Sequence, residues 1–482
     1  MFNLKSIRKI KLHWQILIAL ILAIIYGIIF SNHYSITDST MKKLTNRIVQ
    51  DEVLNSVAEM QDVDFTTRKA FLEELKKHLS DEQYEKHSST IVQWSVQNSY
   101  IKAVDWLGII FLKMLKLLMI PLILSSLISG ITNVGSVEHL GRLGLKTISY
   151  YLFTSFIAIV TGLFFVNLIK PGIGADLNFS YKVEGLMEQQ RSFKEIVMDI
   201  VPENIFTAFN DNQILSVIFF AILFGFFITR TSPRPKQILS EAFNAIFEVM
   251  MEITMFFIKF APLGIFGIVS RIIAEQDDLG QLVQRMGLYM GTIILALSVH
   301  FFVSLPILTR AIAKVNVWKH LKNMTTPLLT AFSTSSSGAT LPLTMNAVEN
   351  NSGVSNKVTS FTLPLGATIN MDGAALYECV AAIFIAQAYG IELSMIQQIV
   401  IVFTALLASI GSAAIPMAGL VMITVVLSAV GLPLEGVGLI LAVDQLIDMF
   451  RTATNVWSDS CGSVVIAKSE GEKLPIDLVS RF

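Results

Sequence analysis

Five residues near the C-terminus carry the most distinctive chemistry. Asp444, Asp448, Arg451, Asn455 and Asp459 recur at spacings of three and four. At about 100° per residue they fall within about 80° of one helix face. One helix therefore presents three carboxylates, a guanidinium and an amide as a stripe, with Thr452 beside the arginine. Ionisable groups at membrane depth cost about 3 kcal/mol or more each unless paired, so a functional site is the default reading. A structural ion pair of Asp448 with Arg451 at i, i+3 is the bland alternative. It leaves Asp444, Asn455 and Asp459 unexplained.

A second group is Asn370-Met-Asp-Gly373. Gly373, beside a carboxylate and an amide, predicts a local unwinding that frees backbone carbonyls. Free carbonyls with carboxylate and amide oxygens are hard ligands, suited to a small cation. Glu378 follows six residues after Asp372. Desolvation favours the uncharged form of a lone carboxyl, which suits a proton carrier. The alternative is a neutral glutamic acid bonded to a hydroxyl. Tyr151, Thr154 and Ser155 stand at i, i+3 and i+4 in an otherwise apolar helix. Spacing alone favours hydroxyls that bond their own helix or glue helices over a ligand role.

The elements that position these groups belong in a membrane. The 482 residues are 53% hydrophobic and only 15% charged, against about 25% charged in soluble chains. Mean hydropathy is +0.61. This excludes a secreted disulfide scaffold and a disordered chain, and the net charge of −1 offers no basic footprint for nucleic acid. Cys379 and Cys461 give neither metal spacing nor a disulfide framework. The seven histidines are scattered, and no Walker loop or strand-linked GxGxxG occurs.

Lys5, Arg8, Lys9 and Lys11 precede the apolar run Ile16–Phe30, which predicts a first span with its N-terminus in the cytoplasm. Residues 32–99 hold 11 acidic and 8 basic residues and predict a soluble insert of two or three short amphipathic helices. Asp64 or Thr66 is the expected cap of one that runs through Phe71, Leu72 and Leu75. Charge-free windows follow at Leu117–Val137, Thr147–Ile169, Asn212–Thr229 and Met286–Thr309, each near the roughly 20 residues that span a bilayer. A span at about 236–271 carries Glu241, Glu248, Glu252 and Lys259, and is expected to be tilted or buried in protein.

Two charge-free segments are broken in their middles. Asn323–Val348 contains Ser335-Ser-Ser-Gly-Ala-Thr-Leu-Pro342, and Ser394–Leu434 contains Ser409-Ile-Gly-Ser-Ala-Ala-Ile-Pro416. The second segment is 41 residues without a charge or a dividing polar loop. Paired Gly/Pro-interrupted segments point to a transporter site between inverted repeats. Broken backbone at membrane depth is tolerated only where it lines a cavity or binds something. Both are therefore read as re-entrant hairpins.

Ser335–Pro342, Asn370–Gly373, Ser409–Pro416 and the run Asp448-Met-Phe-Arg-Thr-Ala-Thr-Asn-Val456 together resemble the dicarboxylate/amino acid:cation symporter family, which includes the glutamate transporters. The resemblance covers about residues 1–31 and 100–470. It implies an all-α polytopic membrane protein with eight transmembrane helices, two re-entrant hairpins and inverted repeats. It further implies a homotrimer working as an elevator in the cell (inner) membrane, with both termini cytoplasmic. The implied division is 1–31 for the first span, 32–99 for an extracytoplasmic insert, 100–142 for scaffold helix 2 and 143–170 for transport helix 3. Scaffold helices 4 and 5 follow at 171–275, the rest of the transport domain at 276–470, and a cytoplasmic tail at 471–482.

By that resemblance Asp448 takes a substrate amine, Arg451 a side-chain carboxylate, and Thr452 and Asn455 the main-chain part. Met371 lines the site, and Ser336, Ser337 and Gly338 with Ile415–Gly419 close it. One sodium site is implied at Gly366, Asn370, Asn455 and Asp459, and a second at Thr368, Ser409, Ile410 and Ser412. A third uses Tyr151, Thr154, Ser155, Asn370 and Asp372. Glu378 is the implied proton-coupling residue. The chain departs from the family pattern at Ala374, where a threonine is frequent, and at Met417, where a glycine is common. An arginine that many members place at the first hairpin tip or in the last helix is replaced by Ser335 and Met449.

The implied function is sodium-coupled symport of acidic amino acids, with a proton as a further coupled ion. A C4-dicarboxylate would set a carboxylate against Asp448, and a neutral amino acid or cystine would leave Arg451 unpaired. An intramembrane protease would need a base near the hairpin serines, and neither hairpin holds a His or Lys. A channel would need a continuous polar pore and no closing hairpin.

Overall fold

The structure is a computed structural model that describes residues 12–48, 51–135, 141–175, 198, 200–211, 213–276, 278–410 and 418–477. Helix α1, Leu12–Ile29, is apolar from Ile16 onward. It turns Leu17, Ile21, Leu22, Ile25 and Ile28 outward. An apolar outer face of this kind is what a lipid-facing helix presents.

The insert comprises β1 (His33–Ser35), α2 (Asp38–Thr45), α3 (Asp51–Ala58), β2 (Asp64–Phe65), α4 (Arg68–His78), α5 (Asp81–Ser95) and β3 (Val96–Gln97). It has four helices rather than two or three, and a three-stranded sheet in the order β2-β1-β3 that the sequence reading lacks. Tyr34 pairs with both Phe65 and Val96. Strands of two or three residues are too short to display a period of two. The cap of α4 is Thr67, whose hydroxyl accepts from the Ala70 N–H, rather than Asp64 or Thr66. Asp64 lies in β2. The insert has its own core of Tyr34, Ile36, Leu44, Val53, Phe71, Leu75 and Ile91 among others. Its base is tied to α1 and to the helix Ala261–Glu275: the Asn32 N–H donates to the Ala274 carbonyl at 3.0 Å. Asn98 Nδ2 donates to the Phe30 carbonyl at 2.7 Å.

Next come α6 (Ser99–Gly135), α7 (Gly141–Ile169), α8 (Ile205–Asn210), α9 (Ile214–Arg230), α10 (Pro233–Ile258) and α11 (Ala261–Glu275). The segment expected as one span near 236–271 is two helices bent by 53°. Pro262 in the first turn of α11 lacks the N–H that a continuous helix needs and disfavours helical backbone before it. Glu241, Glu248, Glu252 and Lys259 are exposed on this chain rather than buried in it. Helix α6 packs on α9, α10 and α11, and α11 on α1.

The remaining helices are α12 (Leu279–Val299), α13 (Leu305–Ala313), α14 (Val317–Asn323), α15 (Thr325–Thr334), α16 (Ser337–Asn346), α17 (Asn356–Ile369), α18 (Asp372–Ala388), α19 (Met395–Ile410), α20 (Ala418–Ala429) and α21 (Val437–Ser469). A π-helical turn, His300–Ser304, joins α12 to α13. Helices α15 and α16 form the first hairpin, with Ser335 in the left-handed region at its tip (φ 50°). Helices α19 and α20 pack on each other as the arms of the second. The tip of that hairpin, with Ser412, Ile415 and Met417, lies outside the described residues, as do Met1–Lys11 of the first segment and Leu478–Phe482 of the tail.

Among the described residues four helical stretches are long and apolar enough to cross a membrane: Ser99–Thr132, Arg142–Ile169, Leu279–Ala313 and Asn356–Ala388. The bent pair α10–α11 makes a fifth. The apolar window of Asn356–Ala388 is 100% buried, against 33–39% for the other three. That stretch is therefore the centre around which the rest is arranged. The mostly helical fold, with several spanning helices, is that of a multi-pass membrane protein.

Replacing residues 36–95 by a short Gly-Asn-Gly turn keeps the β1–β3 pairing and the Asn32 and Asn98 ties. The expected outcome is a folded protein with an unchanged helical core, because the insert closes a core of its own. Size exclusion and thermal unfolding of the deletion variant in detergent check this, and an aggregated variant, or one whose unfolding midpoint falls sharply, refutes it.

Candidate functional site

The site is built on a break. Helix α17 stops at Ile369, and Asn370 (φ −92°, ψ 74°) and Met371 (φ −104°, ψ 54°) are not helical. The chain unwinds there, two residues before the expected position at Gly373. Gly373 acts differently: a Cβ on it would stand 2.6 Å from the Arg451 carbonyl oxygen. Glycine thus lets α18 start directly against α21. The Gly373 N–H, in the first turn of α18, donates to Asn455 Oδ1 at 2.7 Å.

Opposite the break, the predicted stripe of α21 is buried along its length. Arg451 Nη2 lies 2.6 Å from Asp448 Oδ1 and 3.5 Å from Asp444 Oδ1. The i, i+3 ion pair therefore exists, but as part of a larger cluster. The guanidinium sits 4.0 Å from the ring centroid of Tyr377, a cation–π distance. The Tyr377 hydroxyl donates to Asp444 Oδ1 at 2.6 Å. Arg451 Nε and Nη1 are buried without a hydrogen-bond partner among the described residues. Gly419 of α20 faces Nη1 so closely that a Cβ would overlap it.

Other predicted substrate residues lie on α21, in the break and at the tip of the first hairpin. Thr452 and Asn455 are buried beside it on α21. Met371 accepts on its sulfur from Asn455 Nδ2 at 3.2 Å. Both arms of the first hairpin pack on α21, and Phe332 meets Phe450 edge-on at 5.0 Å. Ser336 caps α16, its hydroxyl accepting from the Ala339 N–H at 3.2 Å. Ser337 is buried and Gly338 exposed at the same tip.

The oxygen-rich residues form a neighbouring cluster. Asp372 Oδ1 accepts from Ser155 Oγ at 2.5 Å and lies 3.3 Å from Thr154 Oγ1. Thr154 also reaches Asn370 Oδ1 at 3.3 Å. Asn370 Nδ2 donates to Asp459 Oδ1 at 2.9 Å. Gly366 adjoins both Asp459 and Tyr151: a Cβ there would stand 2.5 Å from Asp459 Oδ1 and 2.9 Å from Tyr151 Oη. Tyr151, Thr154, Ser155, Gly366, Asn370, Asp372 and Asp459 thus converge from four helices, α7, α17, α18 and α21, and the break between α17 and α18. Their oxygens are hard donors of the type small cations take.

In the second implied sodium set, the hydroxyls of Thr368 and Ser409 bond within their own helices. Thr368 is exposed and bonds the Leu365 and Pro364 carbonyls at 3.0 and 3.4 Å. Ser409 bonds the Leu406 carbonyl at 2.9 Å. Each hydroxyl serves its own helix. Ile410 ends α19, and Ser412 is outside the described residues. Glu378 is fully buried in α18, and neither carboxyl oxygen has a hydrogen-bond partner among the described residues.

Three contributors were missed in the sequence. Tyr377 cups the arginine. Ser458 Oγ donates to Asp372 Oδ2 at 2.6 Å, and His300 Nε2 lies 3.0 Å from the same oxygen. The signal for His300 was present: it is a lone imidazole within the charge-free window Met286–Thr309.

Broken helices meeting around buried, mutually paired charges define a membrane transporter rather than an enzyme. The sequence model of the sodium:dicarboxylate symporter family matches residues 12–469. Excitatory amino acid transporter 3 of Mus musculus is 35% identical over 418 residues, covering 76% of this chain and 79% of its own. An excitatory amino acid transporter of Caenorhabditis elegans is 36% identical, covering 78% and 82%. The proton/sodium-glutamate symport protein of Geobacillus stearothermophilus is 34% identical, covering 76% and 87%. The chain belongs to the sodium:dicarboxylate symporter family.

Gly373→Ala tests the packing at the break. The Arg451 backbone cannot yield as a flexible side-chain tip would, so overpacking is expected to cost about 1–3 kcal/mol. Thermal unfolding in detergent checks this, and an unchanged midpoint would show that α18 and α21 separate freely.

Proposed function

We propose that this chain imports acidic amino acids, glutamate or aspartate, by symport with sodium and with a proton as a further coupled ion. The observation that carries the reading is Arg451, whose Nε and Nη1 are buried without hydrogen-bond partners among the described residues, with Nη1 facing Gly419. A guanidinium with donors to spare binds a carboxylate by paired hydrogen bonds. Asp448, now on the arginine, is the natural partner for an ammonium group. A substrate with both charges satisfies the pair; a C4-dicarboxylate leaves Asp448 facing a like charge. The relatives' names, which include a proton/sodium-glutamate symport protein, support the same substrate and ions. The convergent oxygens around Asp372 and Asp459 suit sodium. Each net charge carried inward is worth about 2.3 kcal/mol per 100 mV, so several sodium ions per substrate would concentrate it strongly.

The working form is a homotrimer in the cell membrane, with eight spans, two hairpins and cytoplasmic termini. Its support is α10, where Glu248 and Glu252 are exposed beside Val249 and Phe256. Carboxylates on a spanning helix avoid lipid, and neighbouring copies would cover them. Helices α7 and α12–α21 would move together as the elevator.

Uptake of labelled aspartate and glutamate into proteoliposomes, with sodium, proton and potassium gradients imposed separately, tests the proposal. A sodium gradient is expected to drive accumulation, and Arg451→Ala to abolish it in a folded protein. Uptake that is indifferent to sodium, or unchanged in the variant, overturns the reading.

Glu378→Gln mimics the uncharged acid. The variant is expected to lose the pH dependence of net uptake while keeping exchange of internal for external substrate. A wild type without pH dependence, matched by the variant in net uptake, would make Glu378 purely structural.

A further inference from the structure

His300 is fully buried and opens the π-helical turn that joins α12 to α13. Single π turns insert a residue into a helix and are frequent at functional sites. Here the turn places the imidazole 3.0 Å from Asp372 Oδ2. An ionised carboxylate only accepts hydrogen bonds, so Nε2 carries the proton. Nδ1 is buried without a partner among the described residues. That suits the bare nitrogen of the neutral Nε2–H tautomer, since a second buried N–H would be left unsatisfied.

The two oxygens of Asp372 are used by different groups. Oδ2 accepts from His300 and, at 2.6 Å, from Ser458 Oγ. Ser458 in turn accepts from Asn370 Nδ2 at 3.0 Å. Oδ1 faces the hydroxyls of Ser155 and Thr154. A chain His300–Asp372–Ser458–Asn370 therefore grips both residues that flank Met371 in the break. With Oδ2 engaged from two helices, the carboxylate cannot rotate, and Oδ1 is fixed on the hydroxyl side.

We propose that His300 is a positioning residue for sodium: its Nε2–H holds Asp372 Oδ2 so that Oδ1 and the break at Asn370–Met371 are set for the cation. The inference rests on the reading of Asp372 as a sodium ligand. Loss of a partner that orients a ligand typically weakens metal affinity about 10–100-fold. The role predicts a loss in sodium affinity specifically, rather than a general loss of binding.

The test uses His300→Gln and His300→Met in the purified full-length protein. The two replacements are similar in size and flexibility, and only glutamine offers a donor. Binding of labelled aspartate is titrated with sodium, and folding is followed by size exclusion and thermal unfolding. His300→Met is expected to raise the half-saturating sodium concentration about tenfold, with aspartate affinity at saturating sodium little changed. His300→Gln is expected to recover most of that shift. Equal sodium curves for the two variants, or a wild-type curve for His300→Met, overturn the proposal. Should His300→Met not fold, Ser458→Ala removes the other donor to Oδ2 and is expected to shift the curve in the same direction; a wild-type curve there overturns the proposal equally. Asp372→Asn separates the two levels. A wild-type sodium curve in that variant defeats the sodium site itself, whereas a shifted curve there with an unshifted His300→Met defeats only the role of His300.

Discussion

A guanidinium removed from water must be matched within a few ångströms, and at Arg451 that requirement organises three helices. The residue is 2% exposed and its side chain lies between Asp448 and Asp444, with the Tyr377 ring beneath it. Removing one partner of a buried pair costs about 3–5 kcal/mol, because the other charge is left uncompensated. Asp444 is held in turn by the Tyr377 hydroxyl, so α18 as well as α21 supplies the match. Two glycines make the approach possible. Gly373 brings the start of α18 onto the Arg451 backbone, and Gly419 brings α20 onto its guanidinium. The cluster holds two carboxylates against one arginine, an imbalance that a cationic amine can relieve.

The break at Asn370–Met371 serves the second polar cluster by the same logic. Once α17 ends, the backbone and side chains around the break need partners that the lipid cannot supply. Asn455 takes the Gly373 N–H, and Ser458 and Asp459 take the Asn370 amide. One helix, α21, thus serves the arginine cluster with one part of its stripe and the break with the next. The two clusters share α18 and α21, so a change at either reaches the other through rigid elements.

The sequence disclosed this site unevenly. The stripe on α21 was legible because all its members lie on one helix, where spacing alone assigns a face. The first hairpin was legible from serines and a proline inside a charge-free segment. The break was legible in kind but misplaced at Gly373, because glycine marks both unwinding and close approach, and here it marks the second. Tyr377, Ser458 and His300 escaped because their partners sit on other helices, and no periodicity reports a contact between helices 72 or 86 residues apart in the chain. The insert's sheet escaped for a different reason: its strands are too short to alternate.

Chain order also hides how the helices group. Helix α7 precedes α9–α11 in sequence, yet its polar ties run to the later half. Ser155 bonds Asp372, and Lys146 and Arg142 each lie 2.6 Å from Glu470 at the end of α21. Those two cations hold the Glu470 carboxyl below its usual range. Gly162 of α7 faces Leu376 and Val380 of α18 at distances a Cβ would make too short. Helices α9, α10 and α11 instead pack on α6, and the insert is tied to α1 and α11. Where the groups meet, the contacts are mainly apolar. Ile268 of α11 lies against Gly438 of α21, and a weak hydrogen bond runs from Ser428 Oγ of α20 to Met119 Sδ of α6 at 3.6 Å. The buried charges lie wholly on one side of this boundary: among the described residues the Arg451–Asp448, Arg451–Asp444 and His300–Asp372 contacts all stay within the group of α7 and α12–α21. The cost of matching those charges is therefore met inside one group, while the join between the groups rests on apolar packing.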